Sequence, residues 1–155
     1  MTAGATWPYP GARWWKFDFH THTPASLDTH WALEAKREGR EVALTPEEWL
    51  LRYMAAEVDC VAITDHNTGG WVDRLKAAYK QMKEDCAPGF RELHLFPGIE
   101  ISVQGPFHLL ALFDPSADGE KVAKALGPAR YRGTPGDSDA TTEASALDVV
   151  GAVLA

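Results

Sequence analysis

The chain has 155 residues, of which 45% are hydrophobic and 24% charged, with a formal net charge of −7. That length suffices for one domain with a core, and the acidic balance argues against a basic nucleic-acid-binding module. Two cysteines, Cys60 and Cys86, make no disulfide framework, and no apolar run is long enough to span a bilayer. Met1 to Pro10 lacks the basic start and apolar core of a signal peptide, so a cytoplasmic location is the expectation.

Residues 1–13, rich in Gly, Pro and Ala, read as an irregular arm, and residues 14–155 as one domain. An aromatic strand over 13–20 follows the arm and runs into His20-Thr21-His22-Thr23. On an extended strand, side chains two apart share a face. His20 and His22 are therefore expected to converge, with Asp18 behind them. Residues 23–44 read as a loop. Thr45-Pro46-Glu47-Glu48 opens a helix to about Glu57, with Thr45 as N-cap, Pro46 in the first turn and Glu48 closing a capping box. Its apolar stripe is Trp49, Leu50 and Tyr53.

Residues 59–64 form a nearly continuous apolar run, the pattern of a strand covered on both faces, with Cys60 as a small buried hydrophobe. It ends in Asp65-His66-Asn67. A helix over 71–84 carries Val72, Leu75, Tyr79 and Met82 at helical spacing. A strand over 93–97 leads to Gly98-Ile99-Glu100-Ile101, and residues 100–103 pair with 107–112 as a hairpin. A helix over 117–126, a Gly/Pro/Asp-rich loop over 127–139 and an apolar helix over 142–155 complete the chain, with Asp139 as the cap of the last helix. Strands alternating with helices imply an α/β architecture, with a barrel or an open parallel sheet as the two forms.

Ligand-type residues gather at the strand ends: His20 and His22, Asp65 and His66, Glu100 and His108, with Asp28 just past the first pair. Each has a plain structural alternative. The H-x-H could be two surface histidines, Asp65 a turn cap, Glu100 an exposed strand residue and His108 a half-exposed structural histidine. Together, imidazoles and carboxylates suit zinc, manganese or iron(II), and a shared Glu suits a multinuclear site.

Four segments carry a family resemblance. D-F-H-T-H-T, I-T-D-H-N, P-G-I-E-I and F-H-L-L-A-L-F resemble, in order and spacing, the first motifs of the PHP (polymerase and histidinol phosphatase) superfamily. The matches run from about residue 14 to 113. The opening W-W-K-F-D-F-H-T-H-T-P-A-S is similar to PHP domains fused ahead of large coiled-coil ATPase modules. The resemblance implies a distorted (β/α)7 TIM-like barrel with two or three divalent ions, zinc, manganese or iron, at the C-terminal strand ends. Carried over, His20 and His22 would bind one ion. Glu100 would bridge it to a second, which His108 also binds, and Asp28 and His66 would bind a third. Asp65 is assigned to the surrounding shell, orienting an imidazole or a water, and Asp18 is a similar candidate. The implied activity is phosphoester hydrolysis, phosphatase or phosphodiesterase/nuclease in type, by a metal-activated water. Arg13, Lys16, Arg130 and Arg132 are candidates to hold phosphate, against a plainer reading as solvated charge.

The family pattern continues with another His and a late D-x-H, and this chain has no His after His108. Asp139-Ala140-Thr141 carries Thr where that His is expected. An eight-fold βα barrel takes about 250 residues, so the expectation is the N-terminal part of a PHP domain, truncated at its C-terminus. Such a piece would expose a sheet edge and self-associate. Two other readings stand beside the phosphoesterase: an amidohydrolase-like metal hydrolase, which also opens on H-x-H, and a non-catalytic PHP module that binds metal or regulates a fused ATPase. The implied partners are a phosphate-ester substrate, nucleic acid through a full-length parent, and no membrane.

Overall fold

A computed structural model describes residues 14–154; the expected arm over 1–13, and Arg13 with it, lies outside the described residues. The elements are β1 (Phe17–Asp18), α1 (His30–Glu38), α2 (Pro46–Ala55), β2 (Cys60–Ile63), α3 (Val72–Glu84), β3 (His94–Ser102), β4 (His108–Leu112), α4 (Gly119–Lys124), α5 (Leu126–Ala129) and α6 (Ala146–Leu154). They form a mixed α/β fold around one four-stranded sheet in the order β1-β2-β3-β4. β1, β2 and β3 are parallel, and β4 returns antiparallel to β3. Parallel neighbours joined through helices are the progression of a TIM-like barrel, and four strands do not close one.

The capping box of α2 forms as the sequence predicts: Thr45 Oγ1 accepts from Glu48 N at 3.2 Å and Thr45 N donates to Glu48 Oε2 at 3.0 Å. The helix buries Trp49, Leu50 and Met54, and α3 buries Val72, Leu75, Ala78 and Met82. These side chains share one core with Val61 and Ile63 of β2 and Leu95, Ile99 and Ile101 of β3. Each fully buried aliphatic contributes about 1.5–3 kcal/mol of transfer free energy, so this layer is the main stabiliser of the sheet. Tyr53 and Tyr79, placed in the apolar stripes, pack at the core's margin instead.

Several expectations are corrected. The segment read as a loop over 23–44 contains α1, capped by the Thr29 side chain at one end and by left-handed Gly39 (φ 64°) at the other. β1 has two residues rather than eight, and the H-x-H lies beyond it. β3 is one nine-residue strand through Pro97, which joins the expected strand over 93–97 to the expected hairpin arm over 100–103. Proline fits there because its carbonyl, and hence its missing N–H, faces Phe113 at the end of the β4 ladder. Cys60 is only half-buried. Asp139 does not cap the last helix; that helix starts at Ala146, where the Ser145 hydroxyl accepts from Asp148 N at 3.2 Å.

The loop after α5 returns to the C-terminal end of the sheet. Gly136 N donates to the His66 carbonyl at 2.9 Å, and Gly136 O accepts from Leu27 N at 2.9 Å. Gly136 has φ 89°, and a Cβ there would collide with the Ala25 carbonyl oxygen. Gly136→Ala is therefore expected to cost at least about 2 kcal/mol. Gly151→Ala, in open space inside α6, should gain about 0.5–1 kcal/mol. Paired thermal melts would check both signs; equal melting of the two variants would contradict the close approach at Gly136.

Candidate metal centre

The site lies at the C-terminal end of the parallel strands. β1 leads to His20 and His22, β2 leads to Asp65 and His66, and Glu100 projects from β3. His108 opens β4, and the antiparallel register sets it opposite Ser102, at the same end.

The backbone around His20 bends, its N–H donating to Asp18 Oδ1 at 3.3 Å. This turns the H-T-H-T segment so that threonines and histidines take opposite sides. Thr21 N donates to Thr64 Oγ1 at 2.9 Å, Thr64 N donates to Thr21 O at 3.0 Å, and the Thr21 hydroxyl donates to the Ala62 carbonyl. Thr23 gives both its N–H and its hydroxyl to Asp65, each at 2.7 Å. Trp49 Nε1 holds the His22 carbonyl at 3.0 Å. With both threonines bound inward, His20 and His22 are presented together, their ring centroids 5.3 Å apart. Asp18, expected behind them, is instead level with core residue Val61 and borders a depression with Trp49, Tyr53 and Val58. It touches the pair only through the His20 N–H.

Glu100 is the hub. Its side chain is 5% exposed, yet four imidazoles surround it. His20 Nε2 lies 2.8 Å from Oε2 and His108 Nδ1 lies 2.6 Å from Oε1, both hydrogen bonds. His22 Nε2 at 3.3 Å and His66 Nδ1 at 3.5 Å approach Oε2 without making one. His66 Nδ1 is a buried nitrogen with no hydrogen-bond partner. His66 Nε2 lies 3.2 Å from Asp28 Oδ2. The His22 and His66 rings stack at 4.6 Å. The donor atoms fall into two groups that share Glu100: His20, His22 and Glu100, and His66, Glu100 and His108, each within 4.8 Å.

The structure thus brings His20, His22, Asp28, His66, Glu100 and His108 to one place. Asp65 stands behind them, bound to Thr23 and Ser26 rather than to an imidazole. A neutral imidazole has one bare nitrogen, so His66 serves either the Glu100 side through Nδ1 or the Asp28 side through Nε2. Burial, helped by the neighbouring His66, lowers the His22 pKa and favours its neutral, metal-binding form. Burial pushes the Glu100 carboxyl up, but hydrogen bonds from His20 and His108 outweigh it and hold the group below its usual range. Asp65 is raised by burial against the pull of the Thr23 and Ser26 donors. Imidazoles around an ionised carboxylate are a donor set for a divalent cation, and the unpartnered His66 Nδ1 fits a ligand position.

Sequence reasoning missed the supporting polar residues. Asn67 sits in the left-handed region (φ 48°) and is fully buried. Its amide donates to Ser102 Oγ at 3.0 Å and the Asp137 carbonyl at 2.8 Å, and its Oδ1 accepts from Ser102 N at 3.0 Å. With Asn67 N to Glu100 O at 2.8 Å and Glu100 N to Asp65 O at 3.1 Å, it fixes the β2 turn to β3. The one signal for this was Asn after Asp-His, a residue that tolerates positive φ. Two of the basic residues considered for phosphate are turned elsewhere: Lys16 Nζ donates to the Ala56 carbonyl at 2.6 Å and Arg132 pairs with Glu143 at 3.0 Å; Arg130 is exposed at the left-handed cap of α5.

No family model matches the chain, and no curated protein matches it. Among solved structures, it is similar to a Bifidobacterium adolescentis protein whose designation as a metal-dependent phosphoesterase is itself provisional. That match has 24% identity, a TM-score of 0.47, and covers 75% of this chain and 33% of the other. A Chromobacterium violaceum amidohydrolase, solved with sulfate and no metal, gives 25% identity, a TM-score of 0.42, and coverage of 74% and 33%. The chain therefore spans about a third of the length of each, and neither likeness is close enough to bear on function. Among the described residues, no helix is long and apolar enough to cross a membrane.

Proposed function

We propose that this chain carries a PHP-type metal hydrolase centre that acts on phosphate esters. The observation that supports it most is Glu100, a buried carboxylate surrounded by four imidazoles, two of which face it without a hydrogen bond. His22 Nε2 and His66 Nδ1 both face Oε2, so cations held jointly with Glu100 would satisfy these nitrogens and the carboxylate together.

In this reading His20, His22 and Glu100 hold one ion, and Glu100 with His108 holds a second. His66 completes the second group through Nδ1, which faces Glu100, while Asp28 lies 3.2 Å from its Nε2. Bound divalent ions would supply Lewis acidity and an activated water. The chain's own residues do the rest. Glu100 keeps the two groups in register through its two oxygens. Thr21, Thr23 and Trp49 fix the direction of the H-x-H. Lys16 and Arg132 are engaged elsewhere, and the ions would supply the main positive charge for a phosphate ester. The phosphoester class rests on the motif resemblance.

The test is metal content together with turnover. After loading with zinc or manganese and dialysis, the chain should retain about two ions, one for each ligand group. It should hydrolyse bis(p-nitrophenyl) phosphate, and His20→Ala should lower that rate by at least about 100-fold. A chain that retains no metal, or a His20→Ala variant with unchanged turnover, would defeat the reading.

A further inference from the structure

We propose that Ser26 is a positioning residue that selects the tautomer of His22 and so leaves its Nε2 bare for a cation; this rests on the metal centre proposed above. Ser26 is fully buried and meets three partners. Its Oγ lies 2.8 Å from Asp65 Oδ1, 3.0 Å from His66 N and 3.1 Å from His22 Nδ1. A hydroxyl has one proton to give and two lone pairs to receive with. The His66 backbone N–H can only donate, so it takes one lone pair. Asp65 Oδ1 already accepts the Thr23 N–H at 2.7 Å and is the acceptor for the hydroxyl proton. Only a lone pair is left for His22, so Nδ1 carries the proton and Nε2 does not. That bare Nε2 is the atom 3.3 Å from Glu100 Oε2. Two lone pairs facing at that distance repel unless a cation lies between them. The same hydroxyl holds the chain at His66 through the backbone, so one side chain sets the orientation of a ligand in each group.

Thr23 and Ala25 keep Ser26 in place. Ser26 N donates to Thr23 O at 3.1 Å, and Ala25 N donates to Thr23 Oγ1 at 3.1 Å. The network closes on Asp65, which accepts from Thr23 twice and from Ser26 once, so a rotation of Ser26 would leave a buried carboxylate oxygen with one donor fewer.

The experiment reads the tautomer in the metal-free wild-type chain, where folding is not in question. A long-range 1H–15N correlation spectrum at about pH 8, above the ordinary imidazole range, with His22 assigned from the His22→Gln spectrum, should show the Nδ1–H form. Ser26→Ala should shift His22 toward Nε2–H and weaken zinc binding by about 10–100-fold, while Ser26→Thr, which keeps the hydroxyl, should restore both. An Nε2–H form at His22 in the wild type overturns the proposal even if zinc binds. An Nδ1–H form in a chain that takes up no zinc supports the role of Ser26 and defeats the metal centre instead.

Discussion

Glu100→Gln is expected to remove both ions, whereas His108→Ala removes one. Glu100 is the single residue common to the two ligand groups. Its Oε2 faces His20 and His22 and its Oε1 faces His108. Gln keeps the shape of the side chain, so the change isolates charge from packing. It replaces an ionised oxygen with an amide that binds divalent ions poorly, and its NH2 would point at imidazole nitrogens. Loss of affinity by at least about 100-fold at each ion is expected. The readout is calorimetric titration with zinc, with thermal shift as a second measure. Metal at about 1,000 times its Kd adds about 4 kcal/mol to a folded state that binds it. That gain should appear in the wild type, shrink in His108→Ala and vanish in Glu100→Gln. A Glu100→Gln chain that still binds two ions would show that the carboxylate does not bridge. Binding should also weaken as pH falls through the imidazole range, because protons compete for the same nitrogens.

The parts of this fold readable from sequence are those with strong local signals. The Thr45 capping box, the buried β2 run and the helical spacing of α3 each come from interactions within a few residues, and all three stand in the structure. The antiparallel return of β4 was legible for the same reason. α1 was not, because it buries only Ala35 and so lacks an apolar stripe; its terminal signals, Thr29 and Gly39, were present but unsupported by periodicity. β3 was read as a strand over 93–97 leading into a separate hairpin arm, and its continuity through Pro97 depends on where the neighbouring strand stops, which the sequence does not display. Strict alternation put Asp18 behind the histidines, and the bend at His20 broke that alternation.

The candidate ligands were legible as residue types at strand ends. The network that aims them was not, since Thr21, Thr23, Ser26 and Asn67 are common residues whose roles come from contacts across about 40 positions of sequence, such as Thr21 with Thr64 and Ser26 with Asp65. A buried polar residue is informative only once its burial is known. In hindsight, threonines alternating with histidines form a pattern in themselves: one parity binds inward and the other is presented.

Asp65→Ala is expected to destabilise the metal-free chain by about 3–5 kcal/mol, more than any change to a ligand. The carboxylate accepts three hydrogen bonds, from Thr23 N, Thr23 Oγ1 and Ser26 Oγ, and Asp65 is 1% exposed. Truncation leaves those donors without an acceptor where water does not reach, at about 1–3 kcal/mol for each one left unmade, less what the cavity recovers by relaxing. Asp65→Asn keeps one acceptor oxygen and should cost about 1–2 kcal/mol. Urea titrations of metal-free protein would measure both, and a loss under about 1 kcal/mol for Asp65→Ala would show that the Thr23–Ser26 loop holds itself. The contrast with Glu100 separates two kinds of acid in one site. Glu100 is held among imidazoles whose attraction to one another is weak without a cation, so its removal should register in metal binding. Asp65 is satisfied by neutral donors in the absence of any ion, so its removal should register in folding first and in metal binding only through the drift of His22 and His66 that follows.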